Sequence, residues 1–121
     1  MLLKDLLNTI EKYLPAASAL EGDRIGLQIQ AGLSEVNKLL VTMELTDEVA
    51  EEAISIGCDC IISFHPLIYR PLAEINDEER VGRITTKLIK NSIALISLHT
   101  TFDTYQYGTS RILSDKLGLC F

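Results

Sequence analysis

The chain has 121 residues, of which 47% are hydrophobic and 23% charged. This length is typical of one domain, and this composition excludes an intrinsically disordered chain. The formal net charge of −6 and the absence of a basic patch in the sequence argue against direct nucleic-acid binding through the phosphate backbone. No apolar run in the sequence is long enough to span a bilayer, so we expect no membrane contact.

The pattern of apolar residues predicts helices and strands in alternation. The first predicted elements are a helix over 2–14, a strand or strand-like loop over 21–32 and a strand over 36–45. A helix from an N-cap at Thr46 to Ile56, a strand over 58–64 and a loop over 67–80 follow. The last predicted elements are a helix over 79–91, a strand over 92–98 and a helix from about Thr109 to Gly118. This order predicts one α/β domain over residues 1–121. We expect a mostly parallel sheet flanked by helices, with right-handed crossovers.

The three cysteines are an odd number, which argues against a closed disulfide framework. Cys58 and Cys60 are separated by one residue, so they lack the two-residue spacer of zinc knuckles and redox pairs. The simplest interpretation is reduced thiols in or near a buried strand, in a reducing compartment. We therefore expect a cytoplasmic protein, with the nucleus as the alternative compartment.

Polar residues follow three of the predicted strands. Glu44 ends the strand over 36–45, His65 follows the next strand, and His99 ends the strand over 92–98, with Asp103 four residues later. Because the carboxyl ends of parallel strands meet at one edge of a sheet, these side chains are expected to lie together. Imidazole and carboxylate ligands suit Zn²⁺, Fe²⁺ or Mn²⁺. An ordinary structural role in turns is the alternative interpretation of each residue.

Three segments of the chain resemble one known family. They are DRIGLQI at 23–29, VTMELTDEVAEEAISIGCDCIISFHPLIYRPLAEI at 41–75, and IALISLHTTFDTYQYGTSRILSDKLGL at 93–119. In order and spacing, they resemble the amino-terminal half of the NIF-three-like family, whose bacterial members are called GTP cyclohydrolase 1 type 2 homologues. The aromatic residue before His-Pro in SFHPLIYRP is most similar to the eukaryotic-type branch.

The resemblance implies an α/β fold, a dinuclear centre of divalent metal (Zn, Fe or Mn) and a ring-shaped homohexamer. On matching positions, it implies that His65 and Asp103 are metal ligands and that His99 is a pocket residue that orients a ligand. Phe64 stands where the family has the first histidine of a pair, and the family's His-x-x-x-Glu is absent from this sequence. Two protein ligands are too few for a stable dinuclear site. We expect weak or absent metal binding, or further ligands from a missing carboxyl half or a second chain.

Three functions remain open at this point. The first is a metal-dependent hydrolase of a nucleotide-like small molecule, with an incomplete site in this chain and with His99 as the catalytic acid or base. The second is a non-catalytic regulatory or interaction protein that works as an oligomer with a protein partner. The third is a structural half-domain whose uncovered sheet edge and apolar face require self-association.

Overall fold

The structure is a computed structural model that describes residues 1–119. Among these residues it contains five α-helices and four strands, with a short 3₁₀ helix over Ala16–Ser18. The helices are α1 (Leu3–Tyr13), α2 (Asp47–Ser55), α3 (Arg80–Lys90), α4 (Thr100–Asp103) and α5 (Thr109–Lys116). The strands are β1 (Gly26–Ile29), β2 (Leu39–Thr42), β3 (Cys60–Ser63) and β4 (Ala94–Ser97).

The four strands form one sheet in the order β1-β4-β3-β2. Strands β2, β3 and β4 are parallel, with Val41 beside Ile62 and Ile62 beside Ile96. Strand β1 runs antiparallel to β4, so its first residue, Gly26, pairs with Ser97. The predicted α/β fold with a mostly parallel sheet is therefore confirmed, and the segment over 21–32 contains a strand.

Helices cover both faces of this sheet. On one face, α2 and α3 pack against the buried core formed by Leu45, Ala50, Ala53, Ile61, Ile84, Leu88 and Leu95. On the other face, α1 packs against a second cluster formed by Leu3, Val36, Cys60, Ile62, Ala94 and Ile96. All residues of β3 and β4 are buried, which explains why these strands are continuous apolar runs rather than alternating ones.

Helix α2 begins and ends where local signals predict. The Oγ1 atom of Thr46 accepts a hydrogen bond from the Val49 N–H at 3.3 Å, and Gly57 has φ +67° directly after the helix. The N-cap and the glycine stop are therefore confirmed. The carboxylate of Asp47 accepts two hydrogen bonds from Arg83, at 2.8 and 3.0 Å, and so joins α2 to α3.

The two cysteines of the third strand region are buried and unbridged, as predicted. Burial raises the pKa of the Cys58 thiol, and it raises that of Cys60 to about 12. Both thiols are therefore protonated near neutral pH and act as small apolar side chains. Cys120 lies outside the described residues. Within residues 1–119, no helix has the length and apolar character that a membrane crossing needs.

Candidate metal and proton-transfer site

One edge of the sheet gathers side chains from all four strands. Glu44, His65 and His99 follow β2, β3 and β4, whose carboxyl ends meet because these strands are parallel. Strand β1 runs the other way, so the residues before it reach the same edge. This antiparallel pairing brings Asp23 to the site, which the pattern of the three parallel strands did not predict.

The two histidines of the chain lie side by side at this edge. Their ring centroids are 6.0 Å apart, and Phe64 contacts both, at 5.0 Å from His65 and 5.8 Å from His99. The His65 side chain is 46% exposed and the His99 side chain is 24% exposed. The predicted meeting of both histidines at one strand edge is what the structure describes.

A carboxylate holds the Nδ1 nitrogen of each histidine. Nδ1 of His65 lies 2.7 Å from Oε2 of Glu44, and Nδ1 of His99 lies 2.7 Å from Oδ1 of Asp23. Within residues 1–119, the Nε2 nitrogen of each ring has no hydrogen-bond partner. A carboxylate beside Nδ1 favours the tautomer with the proton on Nδ1, which leaves the lone pair of Nε2 for a metal ion or a proton.

Asp23 is the most enclosed acidic group of the site, since its side chain is 4% exposed. Its carboxylate also accepts hydrogen bonds from the Oγ1 hydroxyl of Thr100 and from the backbone N–H groups of Arg24 and Thr100. Burial raises the pKa of Asp23, but the hydrogen bonds from Thr100, His99 and Arg24 outweigh it and lower the pKa to about 2. Asp23 is therefore ionised near neutral pH and accepts the hydrogen bond that orients the His99 ring.

Glu44 joins His65 to the start of helix α3. Its Oε1 atom lies 3.5 Å from Nη2 of Arg80, whose Nη1 atom donates a hydrogen bond to the Leu45 carbonyl at 2.7 Å. Arg80 is thus held in place by two contacts and orients the carboxylate that orients His65. Sequence reasoning did not single out Arg80, because its contact with Glu44 links two elements that are distant in sequence.

His99 has an unusual backbone. Its φ is +38° and its ψ is −126°, a region that residues other than glycine rarely occupy, and it stands directly before α4. Such strain amounts to about 1–3 kcal/mol and often occurs at functional sites. The His99 N–H donates to the Phe64 carbonyl at 2.8 Å, which fixes the chain where the imidazole leaves β4.

Asp103 ends α4, one helical turn after His99. Its Oδ1 atom accepts a hydrogen bond from the Thr109 hydroxyl, and its side chain is half-buried. It makes no hydrogen bond to His65 or His99. Within residues 1–119, no three His, Cys, Asp or Glu side chains are grouped as a metal site needs. The assignment of His65 and Asp103 as metal ligands stays a prediction.

The loop after His65 is tied to the segment around β1. Gln28 forms two hydrogen bonds with the Ile68 backbone, at 2.7 and 3.0 Å, and Nε of Arg24 donates to the Tyr69 carbonyl at 3.0 Å. The Tyr69 ring lies 6.4 Å from the His99 ring. These contacts place the loop beside the histidines, and they explain why polar residues interrupt the apolar pattern near β1.

Comparison with known proteins agrees with this architecture. A model of the Duf34/NIF3 family (NGG1p interacting factor 3) matches residues 1–120. A "GTP cyclohydrolase 1 type 2 homolog" of Listeria monocytogenes is 40% identical over 110 residues, which are 91% of this chain and 30% of that protein. The chain thus spans about a third of the length of the curated relatives that it matches.

Two solved structures are also similar. A Bacillus cereus protein related to NIF3 is 40% identical with a TM-score of 0.88, over 97% of this chain and 32% of that one. A Staphylococcus aureus hypothetical protein is 35% identical with a TM-score of 0.90, over 98% of this chain and 39% of that one. The similarity to a eukaryotic-type branch stays a prediction. The family resemblance is confirmed, and the chain belongs to the Duf34/NIF3 family.

Proposed function

We propose that the sheet edge is part of a divalent-metal site, and that the chain contributes to the hydrolysis of a nucleotide-like small molecule. The observation that carries this proposal is the pair of imidazoles 6.0 Å apart, each with a carboxylate 2.7 Å from its Nδ1 nitrogen. Such carboxylate–histidine pairs are typical of metal-binding and proton-transferring histidines. The name of the Listeria relative supports a nucleotide-like substrate.

The donor atoms fit zinc, iron or manganese. The Nε2 nitrogen of His65 and the carboxylate of Asp103 are the ligands that we propose, and both are among the groups that these metals bind. Two ligands are fewer than a stable site needs. The proposed site therefore requires further ligands, which a second copy of the chain in a homo-oligomer can supply.

His99 is the proton-transfer group in this proposal. When bound, a divalent cation lowers the pKa of water and so supplies a nucleophile at neutral pH. The Nε2 nitrogen of His99 accepts or returns a proton during hydrolysis, while the ionised Asp23 holds the ring by Nδ1. The strained backbone of His99 fixes the direction in which the ring leaves β4.

Assembly as a homo-oligomer is part of the same proposal. Three apolar residues on or next to the edge strand β2 are exposed: Leu39 at 40%, Val41 at 70% and Met43 at 59%. An unpaired edge strand with exposed apolar side chains favours association. Light scattering after size exclusion tests this point, and a monomer at all concentrations contradicts it.

Calorimetric titration with Zn²⁺, combined with a GTP hydrolysis assay, tests the central proposal. We expect His65→Ala with Asp103→Ala to abolish zinc binding, and His99→Ala to keep zinc binding while it abolishes hydrolysis. Asp115→Ala, an exposed carboxylate on α5, is the matched control and is expected to resemble the wild type. Zinc binding that survives the double substitution overturns the ligand assignment. Zinc binding without hydrolysis favours the regulatory alternative.

A further inference from the structure

A cleft of about 340 Å³ lies between the loop after His65 and the start of helix α3. Its apolar part includes Pro66, Leu67 and Val81, and its polar part is formed by Tyr69, Arg70 and Arg80. Leu67 is 4% exposed and anchors the loop, while Pro66 and Pro71 fix the backbone φ of the same loop. The cleft is therefore a feature with defined walls rather than a gap beneath a free loop.

The charge of this cleft is opposite to that of the whole chain. The sequence has 17 acidic and 11 basic residues, yet the cleft is lined by two arginines and by no acidic residue. Arg80 is oriented by the Leu45 carbonyl at 2.7 Å and by Glu44 at 3.5 Å. Arg70 is exposed and makes no hydrogen bond or ion pair within residues 1–119. Its guanidinium is free to bind an anion.

One sequence neighbour and two contacts connect the cleft to the proposed metal and proton-transfer site. Pro66 directly follows His65 in the chain, and the Tyr69 ring lies 6.4 Å from the His99 ring. Arg80 contacts the same Glu44 carboxylate that holds Nδ1 of His65. Neither histidine lines the cleft, but residues that do line it contact His99 and the carboxylate that holds His65.

We infer that this cleft binds the phosphate group of a small phosphate ester, with Arg70 and Arg80 as the donors. A guanidinium presents parallel N–H groups that match two oxygens of a phosphate. The Tyr69 ring is 57% exposed and offers a flat apolar surface to the group that carries the phosphate. This inference deepens the proposed function and rests on it for the link to hydrolysis, since it names the substrate class as phosphorylated small molecules.

Titration of the full chain with small probe molecules, in a buffer that contains a chelator and no added metal, tests the inference. The probes are inorganic phosphate, adenosine monophosphate and adenosine. Their binding is measured by calorimetry or by changes in amide chemical shifts. We expect both phosphate-bearing probes to bind in the millimolar range or tighter, and adenosine to bind about tenfold more weakly. Arg70→Gln should weaken phosphate binding by about tenfold, and added salt should weaken it further.

Arg111→Gln is the matched control, because it removes the same charge from an exposed position that pairs with Asp115 on α5. It should bind phosphate as the wild type does. Arg70→Lys keeps the charge but loses the fork geometry, and it should bind with intermediate affinity. Circular dichroism confirms that each variant is folded.

Three results would overturn the subsite: no binding of phosphate by the wild type at millimolar concentration, equal affinity of Arg70→Gln and Arg111→Gln, or phosphate binding only after zinc is added. The test of the phosphate subsite is independent of the test of the metal site. Zinc binding by Arg70→Gln at the wild-type affinity is expected if the arginines form a subsite of their own. Arginine-dependent phosphate binding in a protein that binds no zinc supports the subsite and contradicts the metal proposal alone.

Discussion

The Nδ1 nitrogen of His99 lies 2.7 Å from Oδ1 of Asp23, although 76 residues separate them in the chain. This contact depends on the antiparallel pairing of β1 with β4, which places the residues before Gly26 next to the residues after Ser97. It joins a buried ionised carboxylate to one of the chain's two histidines. The pair therefore links the order of the strands to the chemistry of the site.

Asp23 is expected to make stability depend on pH in acid. Its pKa falls from an ordinary 3.8 to about 2 in the folded chain, so its contribution is complete above about pH 4 and is lost as the pH falls towards 2. The contribution is about 2 kcal/mol. We expect the stability difference between the wild type and Asp23→Asn to shrink by this amount between pH 5 and pH 2, measured by urea unfolding. A constant difference contradicts the pairing, and Asp115→Asn serves as the exposed control.

The backbone strain at His99 is expected to show in a pair of variants. His99→Ala and His99→Gly both remove the imidazole, but only glycine adopts φ +38° without strain. His99→Gly should therefore be more stable than His99→Ala by about 1 kcal/mol, measured by chemical denaturation.

Thr104, which directly follows α4 and has φ −85°, supplies the control for that pair. There the order should reverse, with Thr104→Ala more stable than Thr104→Gly, because glycine loses more backbone entropy on folding. If the alanine variant were the more stable one at both positions, the backbone of His99 would not be strained.

Local signals predicted the parts of the fold that depend on neighbouring residues. Thr46 and Gly57 mark the ends of α2, because a side-chain cap and a positive φ each depend on the type of a single residue. The meeting of Glu44, His65 and His99 followed from parallel strands alone, since such strands share one carboxyl edge. The strand pattern was therefore sufficient to predict that the two histidines lie together.

Distant contacts were beyond sequence reasoning. The direction of β1 depends on its pairing with β4, and no residue within 21–32 records it, so Asp23 was not predicted as the partner of His99. Helix α4 has four residues, too few for a helical period to appear in the sequence. Arg80 was within the predicted helix over 79–91, but its contact with Glu44 depends on how that helix packs on the sheet.

Gly82 is expected to be required for the close approach of helix α3 to the backbone of Asn76. A Cβ atom at Gly82 would lie 2.4 Å from the carbonyl oxygen and 2.9 Å from the nitrogen of Asn76. Gly82→Ala should destabilise the protein by about 1–3 kcal/mol, although alanine in a helix normally stabilises. Thr86→Ala in the same helix is the control and should have a small effect. A melting temperature of Gly82→Ala above that of the wild type would contradict the close approach of α3 to Asn76.

Phe64 is expected to limit metal affinity. It contacts both imidazoles, and the resemblance to the family places a histidine at its position. Phe64→His adds a third ligand, a second nitrogen beside that of His65, so zinc affinity should rise by about tenfold or more in calorimetric titration. Phe64→Leu keeps an apolar side chain and should leave zinc affinity unchanged. Equal affinity of the histidine and leucine variants would contradict the position of the metal site.

Paramagnetic broadening by Mn²⁺ tests the central claim most directly, because it detects even weak binding and reports its position. We predict that substoichiometric Mn²⁺ broadens the amides around His65, His99 and Asp103 first, and that the His65→Ala, Asp103→Ala protein loses this selectivity. Broadening confined to the exposed acidic loop at 77–79, or identical broadening in both proteins, would contradict a metal site at this edge of the sheet.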